Sequence, residues 1–207
     1  MVFIKRKETE PVLQEDRQQA RGCPDLLLGL QNANATARRW AARDLVNCPD
    51  AAAALVQQLK LEQDLSVREV ILTSLTKLGD ADAVAGLVDC LRSENAALRN
   101  EAIEAMKQLP DEVAPIMHNL LHDADPDVRI FTVNVLESLR HPEVEAWLID
   151  VINRDAHVNV CATALDLLSE LGSSAALEPL TKLKQRFADE PYIQFAADLA
   201  LRRIVEN

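Results

Sequence analysis

Glycine is scarce in this chain of 207 residues, at five, and aromatic residues make up only 3%. Alanine and leucine dominate instead, a composition that suits an all-helical chain. No run approaches the eighteen or so consecutive apolar residues that a membrane-crossing helix needs. The start, Met1-Val2-Phe3-Ile4-Lys5-Arg6-Lys7, has no long apolar stretch behind its basic residues and no small-residue cleavage site, so it does not read as a secretory signal. Excess positive charge is missing too. The net charge is −11, and the first 21 residues hold five basic and four acidic side chains, so the remainder carries essentially all the negative charge. Nucleic-acid binding requires a basic stripe that displaces phosphate counterions, and that class is set aside. The four cysteines, Cys23, Cys48, Cys90 and Cys161, are widely spaced with no C-x-x-C pair. Cys48 and Cys90 fall on apolar stripes, and all four read as small buried hydrophobes in a reducing cytoplasm rather than as disulfides or zinc ligands.

What is present is a repeat. With Arg68 as origin, Val67 precedes it and Leu75 and Leu78 follow seven and ten positions on. The same frame fits Ala37-Arg38, Leu98-Arg99 and Val128-Arg129, and continues without arginine at Val160-Cys161 and Ile193-Gln194. The anchors 38, 68, 99, 129, 161 and 194 are 30 to 33 residues apart, the period of a solenoid whose units bury their apolar faces by stacking. Each unit also holds an earlier apolar run, such as Leu55-Val56-Leu59 or Leu87-Val88-Leu91, with spacings of three and four that mark one helical stripe. Four residues before the anchors lie Asn34, Asp64, Asn95, Asp125, His157 and Glu190, of which the first four suit helix N-caps. Gly79 and Gly172 are expected to end helices in a left-handed C-cap. The unit is a helical hairpin, repeated six times.

The pattern D-x-x-V-R followed by an aliphatic ladder resembles the short HEAT-like repeats also found in phycobilin lyases and in many bacterial scaffold proteins. Asp64-Leu65-Ser66-Val67-Arg68 and Asp125-Pro126-Asp127-Val128-Arg129 carry the resemblance best, and it extends over residues 25 to 207. It implies an all-α, right-handed α-solenoid of about six HEAT-like hairpins over residues 23–207, preceded by a flexible arm at 1–22. Tetratricopeptide and ankyrin signatures are absent. HEAT-like DNA glycosylases carry a basic surface that this chain lacks. The Val2–Lys7 segment reads as a docking peptide, with too few apolar residues for stable membrane anchoring.

Two sets of residues stand out. The anchor arginines Arg38, Arg68, Arg99 and Arg129 are assigned to a structural ladder, tied to Asp64 and Asp125 across the loops, that ends where the arginine is lost at Cys161 and Gln194. Trp40 and Trp147 read as packing residues. The outward face of the second helices carries Arg39, Glu69, Asn100, Ile130, Ala162 and Phe195 one position after the anchors. Arg43, Thr73, Glu104, Asn134, Asp166 and Leu199 lie five after them. These columns adjoin on a helix and are expected to line the concave surface, with Arg39, Arg43, Glu69, Glu104, Ile130, Asn134, Phe195 and Leu199 as partner-binding residues. Ile130, Phe195 and Leu199 would supply an apolar patch rimmed by charge; equally, Phe195 and Leu199 read as part of a closing C-terminal cap with Arg202 and Arg203 at its solvated end.

No catalytic constellation emerges. His118 and His122 are four apart, a spacing that suits a metal pair, with Asp123 and Asp125 nearby. The H-E-x-x-H motif fails because Asn119 follows His118. The histidines read as solvated loop residues, and neither a metal nor a cofactor is assigned. The leading expectation is a cytoplasmic, non-enzymatic adaptor that presents a groove to a protein partner, as a monomer or weak homodimer. By analogy with similar small bacterial proteins it would serve signalling. The alternative is a phycobilin-lyase-like subunit that holds a tetrapyrrole, with Arg39 and Arg43 meeting its propionates.

Overall fold

The structure, a computed structural model, describes residues 21–206; the Val2–Lys7 segment and nearly all of the expected arm lie outside the described residues. Among the described residues the chain forms twelve α-helices, two short 3-10 turns and no strand. The first helices of the six hairpins are α1 (Cys23–Gly29), α3 (Ala51–Leu61), α5 (Ala81–Cys90), α7 (Pro110–Leu121), α9 (Val144–Arg154) and α11 (Leu177–Arg186). The second helices are α2 (Ala35–Asp44), α4 (Leu65–Leu78), α6 (Ala96–Met106), α8 (Pro126–Leu136), α10 (Val158–Leu171) and α12 (Pro191–Glu206). Each second helix packs on its hairpin mate, and successive second helices pack on one another, while α3, α5, α7, α9 and α11 form a parallel layer of their own. The result is an all-α solenoid with one core drawn out between two layers.

The repeat frame explains this burial. Residues three past each anchor, Ala41, Ile71, Ala102, Thr132, Ala164 and Ala197, have no exposed surface at all. Four of the six are alanine, which lets neighbouring helices approach, and Thr132 satisfies its hydroxyl on the Val128 carbonyl oxygen of its own helix at 2.8 Å. Larger side chains fill the space between the layers, among them Leu55, Ile71, Leu87, Met106, Leu136 and Leu148, all fully buried. Burial of each such side chain is worth about 1.5–3 kcal/mol, and a solenoid gains it only when the neighbouring repeat is in place.

The helix starts follow the expected chemistry. Asn34, Asp64, Asn95 and Asp125 each accept backbone N–H bonds from the first turn of α2, α4, α6 and α8 at 2.8–3.3 Å. His157 supplies no such bond to α10. Gly79 ends α4 at φ 56°, the left-handed conformation that glycine adopts without penalty. Gly172 differs from expectation: it is extended, at φ −66° and ψ 142°. A side chain is excluded there by space, because a Cβ would lie 2.5 Å from the Leu168 carbonyl oxygen.

The cysteines divide. Cys23 and Cys48 are joined by a disulfide that ties the start of α1 to the end of the first hairpin, whereas Cys90 and Cys161 are buried thiols. The reading of all four as simple hydrophobes is corrected for the first pair. Their separation of 25 residues carries no recognisable spacing, and only the return of the hairpin brings the two Cα atoms to 5.7 Å.

Candidate functional site

Three surfaces carry the chemically interesting side chains: the loop edge where first helices give way to second helices, the outward face of the second-helix layer, and a histidine cluster beside the loop edge.

The loop edge is built on a column that the sequence reading missed. Six residues before the anchors lie Asn32, Glu62, Ser93, Asp123 and Asp155. In all five repeats this side chain accepts the backbone N–H two residues on, at 2.8–3.2 Å, which shapes the loop into the next helix. The carboxylates of the column also receive the arginine of the preceding repeat. Arg38 donates from Nε and Nη2 to the two oxygens of Glu62, both at 2.7 Å, and from Nη1 to the Asn32 carbonyl oxygen at 2.8 Å. Arg129 repeats the geometry with Asp155, at 2.6 and 3.0 Å, and with the Asp123 carbonyl oxygen at 2.7 Å. These are forked, charge-assisted pairs. Hydrogen bonding from Arg38 holds the Glu62 carboxyl far below the usual range, at about 2, against its burial.

The arginines therefore bond to Glu62 and Asp155, not to Asp64 and Asp125, whose carboxylates serve as helix caps. Arg68 has no acidic residue ahead of it in the column, since Ser93 stands there. Its Nη2 lies 2.6 Å from Glu101 Oε2 but out of hydrogen-bond alignment, and Arg68 Nε and Nη2 and Glu101 Oε2 are buried without such a bond. Arg99 donates to the Ser93 carbonyl oxygen at 2.6 Å and lies over the Phe131 ring, 5.0 Å from its centre. The carboxylate it could have reached, Asp123, is paired with Arg92. Nor does the ladder end at Cys161. Arg186 of α11 reaches back to the carbonyl oxygens of Ile152, Asn153 and Asp155 at 2.6–3.0 Å and to Cys161 Sγ at 3.3 Å. An arginine from the next repeat thus occupies the place the anchor vacates.

On the second-helix face Glu69, Thr73, Asn100 and Glu104 come together with Glu101 around a recess of about 400 Å³ between α4 and α6. Lys107 bridges Glu104 and Glu137 at 2.8 and 2.7 Å, continuing the charged strip to α8. Arg39 is half-buried on α2, and the exposed Arg43 pairs with its neighbour Asp44 at 3.1 Å. Ile130 and Asn134 are half-buried, with Ile130 packed on the core. The expected continuous apolar patch is corrected accordingly: it contracts to α12, where Tyr192, Phe195 and Leu199 are 52%, 65% and 48% exposed. Ala162 and the exposed Asp166 of α10 separate that stripe from Ile130. The Tyr192 hydroxyl donates to Asp166 Oδ1, which pushes the phenol above its ordinary range.

His118 lies inside α7 and His122 at its C-cap, not in a loop. Their rings are 4.3 Å apart, centre to centre. The carboxylate brought to them is Asp150 of α9, in the following repeat, rather than Asp123 or Asp125. One ligand atom from each of His118, His122 and Asp150 falls within 4.8 Å of the others. Trp147 is half-buried and stacked on His141 at 4.9 Å.

The family model for HEAT repeats matches residues 23–107 and 113–202. Bilin biosynthesis protein PecE of Mastigocladus laminosus is 30% identical over 151 residues, which is 71% of this chain and 56% of that protein. The protein of the same name from Nostoc sp. strain PCC 7120 is 39% identical over 74 residues, 35% of this chain and 29% of its own length. The chain thus spans about half, or less, of the length of these curated relatives. Among solved structures, that of the complex of CpcE and CpcF of phycocyanin lyase from Nostoc sp. PCC7120 is 16% identical, with a TM-score of 0.38, covering 98% of this chain and 100% of that one. The repeat frame, the two helical layers and the family match agree, and the chain belongs to the HEAT-repeat family.

Proposed function

We propose that this chain is a phycobilin-lyase-like subunit, one that helps hold an open-chain tetrapyrrole on its protein substrate. The observation that carries this reading is the 30% identity with a bilin biosynthesis protein across 151 residues. The surface chemistry divides the task. Propionates of a tetrapyrrole need cations, and on the second-helix face these are Arg39 and Arg43 of the first repeat. The recess between α4 and α6, with Glu69, Glu101 and Glu104, repels them. The acidic middle and the Tyr192–Phe195–Leu199 stripe are then surfaces for protein, with an aromatic and aliphatic centre of the kind that anchors interfaces.

On this reading neither free thiol of the chain is the group that attacks the bilin. Burial pushes both free thiols, Cys90 and Cys161, up to about 11, and a protonated thiol is a poor nucleophile. Absorbance titration with a bilin tests the reading. The expected result is a spectral shift on binding, with affinity falling about tenfold in Arg39→Ala/Arg43→Ala through loss of two charge-assisted contacts. A wild-type protein that leaves the bilin spectrum unchanged sinks this reading. A general protein adaptor, favoured by the exposed α12 stripe, is then the function that stands. The matched relatives are bilin biosynthesis proteins, and nothing in them supports the signalling role.

A further inference from the structure

From the side chains at the junction of the fourth and fifth repeats we infer that His118, His122 and Asp150 form a site for a borderline divalent cation of the Zn²⁺ class. The protein supplies three ligands, and one position stays open to water. Three features of the geometry carry this.

The first is the orientation of His122. Its Nδ1 lies 2.8 Å from the His118 carbonyl oxygen, one turn back. A ring nitrogen beside a carbonyl oxygen donates a proton to it, so Nδ1 carries the proton and the neutral form of the ring presents its lone pair at Nε2. Histidine ligands are held in this way, by a bond from the second ring nitrogen to a backbone oxygen.

The second is what Nε2 faces. Asp150 Oδ2 is 3.4 Å away. A charge-assisted bond between these groups would close to about 2.7–2.9 Å. With the ring neutral, two acceptors face one another at this longer distance, and a cation between them would satisfy both. A tetrahedral ion with bonds of roughly 2.0–2.2 Å to nitrogen and oxygen sets its ligands about 3.3–3.5 Å apart. The observed separation is that of a tetrahedron edge.

The third is that the carboxylate is already positioned. Arg154 Nε forms an ion pair with the other oxygen, Asp150 Oδ1, at 2.7 Å, and Oδ2 is the oxygen nearest His122. His118 completes the set from one turn earlier on α7. Its ligand atom lies within 4.8 Å of the others, so closing on an ion takes a movement of roughly 1–2 Å by an exposed side chain. Two imidazoles and one carboxylate suit zinc and its neighbours better than calcium or magnesium, which prefer oxygen throughout. Bound there, the ion would fasten α7 to α9 and add a second link between two repeats already joined by the Arg129–Asp155 pair.

Calorimetric titration of the full chain with Zn²⁺ alone, with a thermal melt of each sample, tests the site. The wild type is expected to bind one equivalent and to melt at a higher temperature with zinc than without. His122→Ala and Asp150→Asn should each weaken binding by at least about tenfold and remove the thermal shift. His141→Ala, away from the cluster, should leave both unchanged. The metal-free melt shows whether each variant folds, and His118→Ala gives a second route to the answer. Absence of zinc binding by the wild type overturns the inference. Binding that survives in His122→Ala and in Asp150→Asn places the zinc elsewhere and overturns it equally.

Discussion

Arg38 and Arg129 occupy the same place in their repeats as Arg68 and Arg99, yet their guanidinium groups end in different company. The first two fork onto a carboxylate of the following repeat, Glu62 or Asp155. The second two meet Ser93, which cannot accept a fork, or an Asp123 already paired with Arg92. The outcome is a loop edge closed by forked ion pairs between repeats one and two and between repeats four and five. In the middle, Arg68 makes a misaligned approach to Glu101 and Arg99 rests on an aromatic ring. The comparison teaches that an arginine column has no fixed energetic meaning. A buried pair contributes when every lone pair and N–H is satisfied and costs when one is not. Whether a rung closes depends on the residue six before the next anchor and on whether another arginine already holds it.

The largest expected effect comes from breaking a closed rung. Glu62→Ala leaves Arg38 part-buried and removes the acceptor of the Gln63 and Asp64 N–H groups. A loss of about 3 kcal/mol in urea unfolding is expected, and a similar loss for Asp155→Ala. An effect no larger than that of Glu101→Ala would erase the distinction between closed and open rungs.

Acid should act on the same rung by a different route. Glu62 has an ordinary carboxyl value of 4.5 when unfolded and about 2 when folded. Its depressed folded value means its contribution is complete above about pH 4.5 and is lost as the pH falls toward about 2. Glu62→Gln should flatten the stability–pH curve across that window and leave the slope above pH 5 alone. An unchanged acid limb in the variant would show that Glu62 is not held by Arg38.

The smallest effect sharpens the comparison by building rather than breaking. Ser93→Asp places a carboxylate where Glu62 and Asp155 stand in their own repeats and gives Arg68 a forked partner. A gain of about 0.5–1 kcal/mol in the same urea unfolding is expected, since Ser93 is only half-buried. If the Ser93→Asp variant proves less stable than the wild type, Glu101 already serves Arg68 as well as the fold allows.

Much of this edge was legible in the chain. The frame around Val67-Arg68 locates all six hairpins, and the amide and carboxylate four residues before an anchor fall where helices α2, α4, α6 and α8 begin. Those are local matters: a cap and its helix lie within four residues, so spacing alone predicts them. The column of Asn32, Glu62, Ser93, Asp123 and Asp155 was also visible at the repeat period. Its meaning was not, because Arg38 and Glu62 are 24 residues apart and only the rise between repeats brings them together. Arg186 was harder still. It belongs to a first helix, has no counterpart in the anchor column, and enters the Cys161 rung from the opposite direction. The second-helix columns were adjacent, but spacing cannot tell that Ile130 leans into the core while Phe195, on α12, stands exposed.

By itself, then, the sequence determined the period, the helical hairpin and the faces that must be buried, because these follow from which side chains recur at helical spacing and which can cap a helix. The tertiary structure alone decided the forked pairs of Glu62 and Asp155, the Cys23–Cys48 bond and the meeting of His118 and His122 with Asp150. Each of these joins residues far apart in the chain. The return of one hairpin sets the Cys23–Cys48 distance; the others are set by how one repeat stacks on the next, a rotation and a rise that no single repeat encodes.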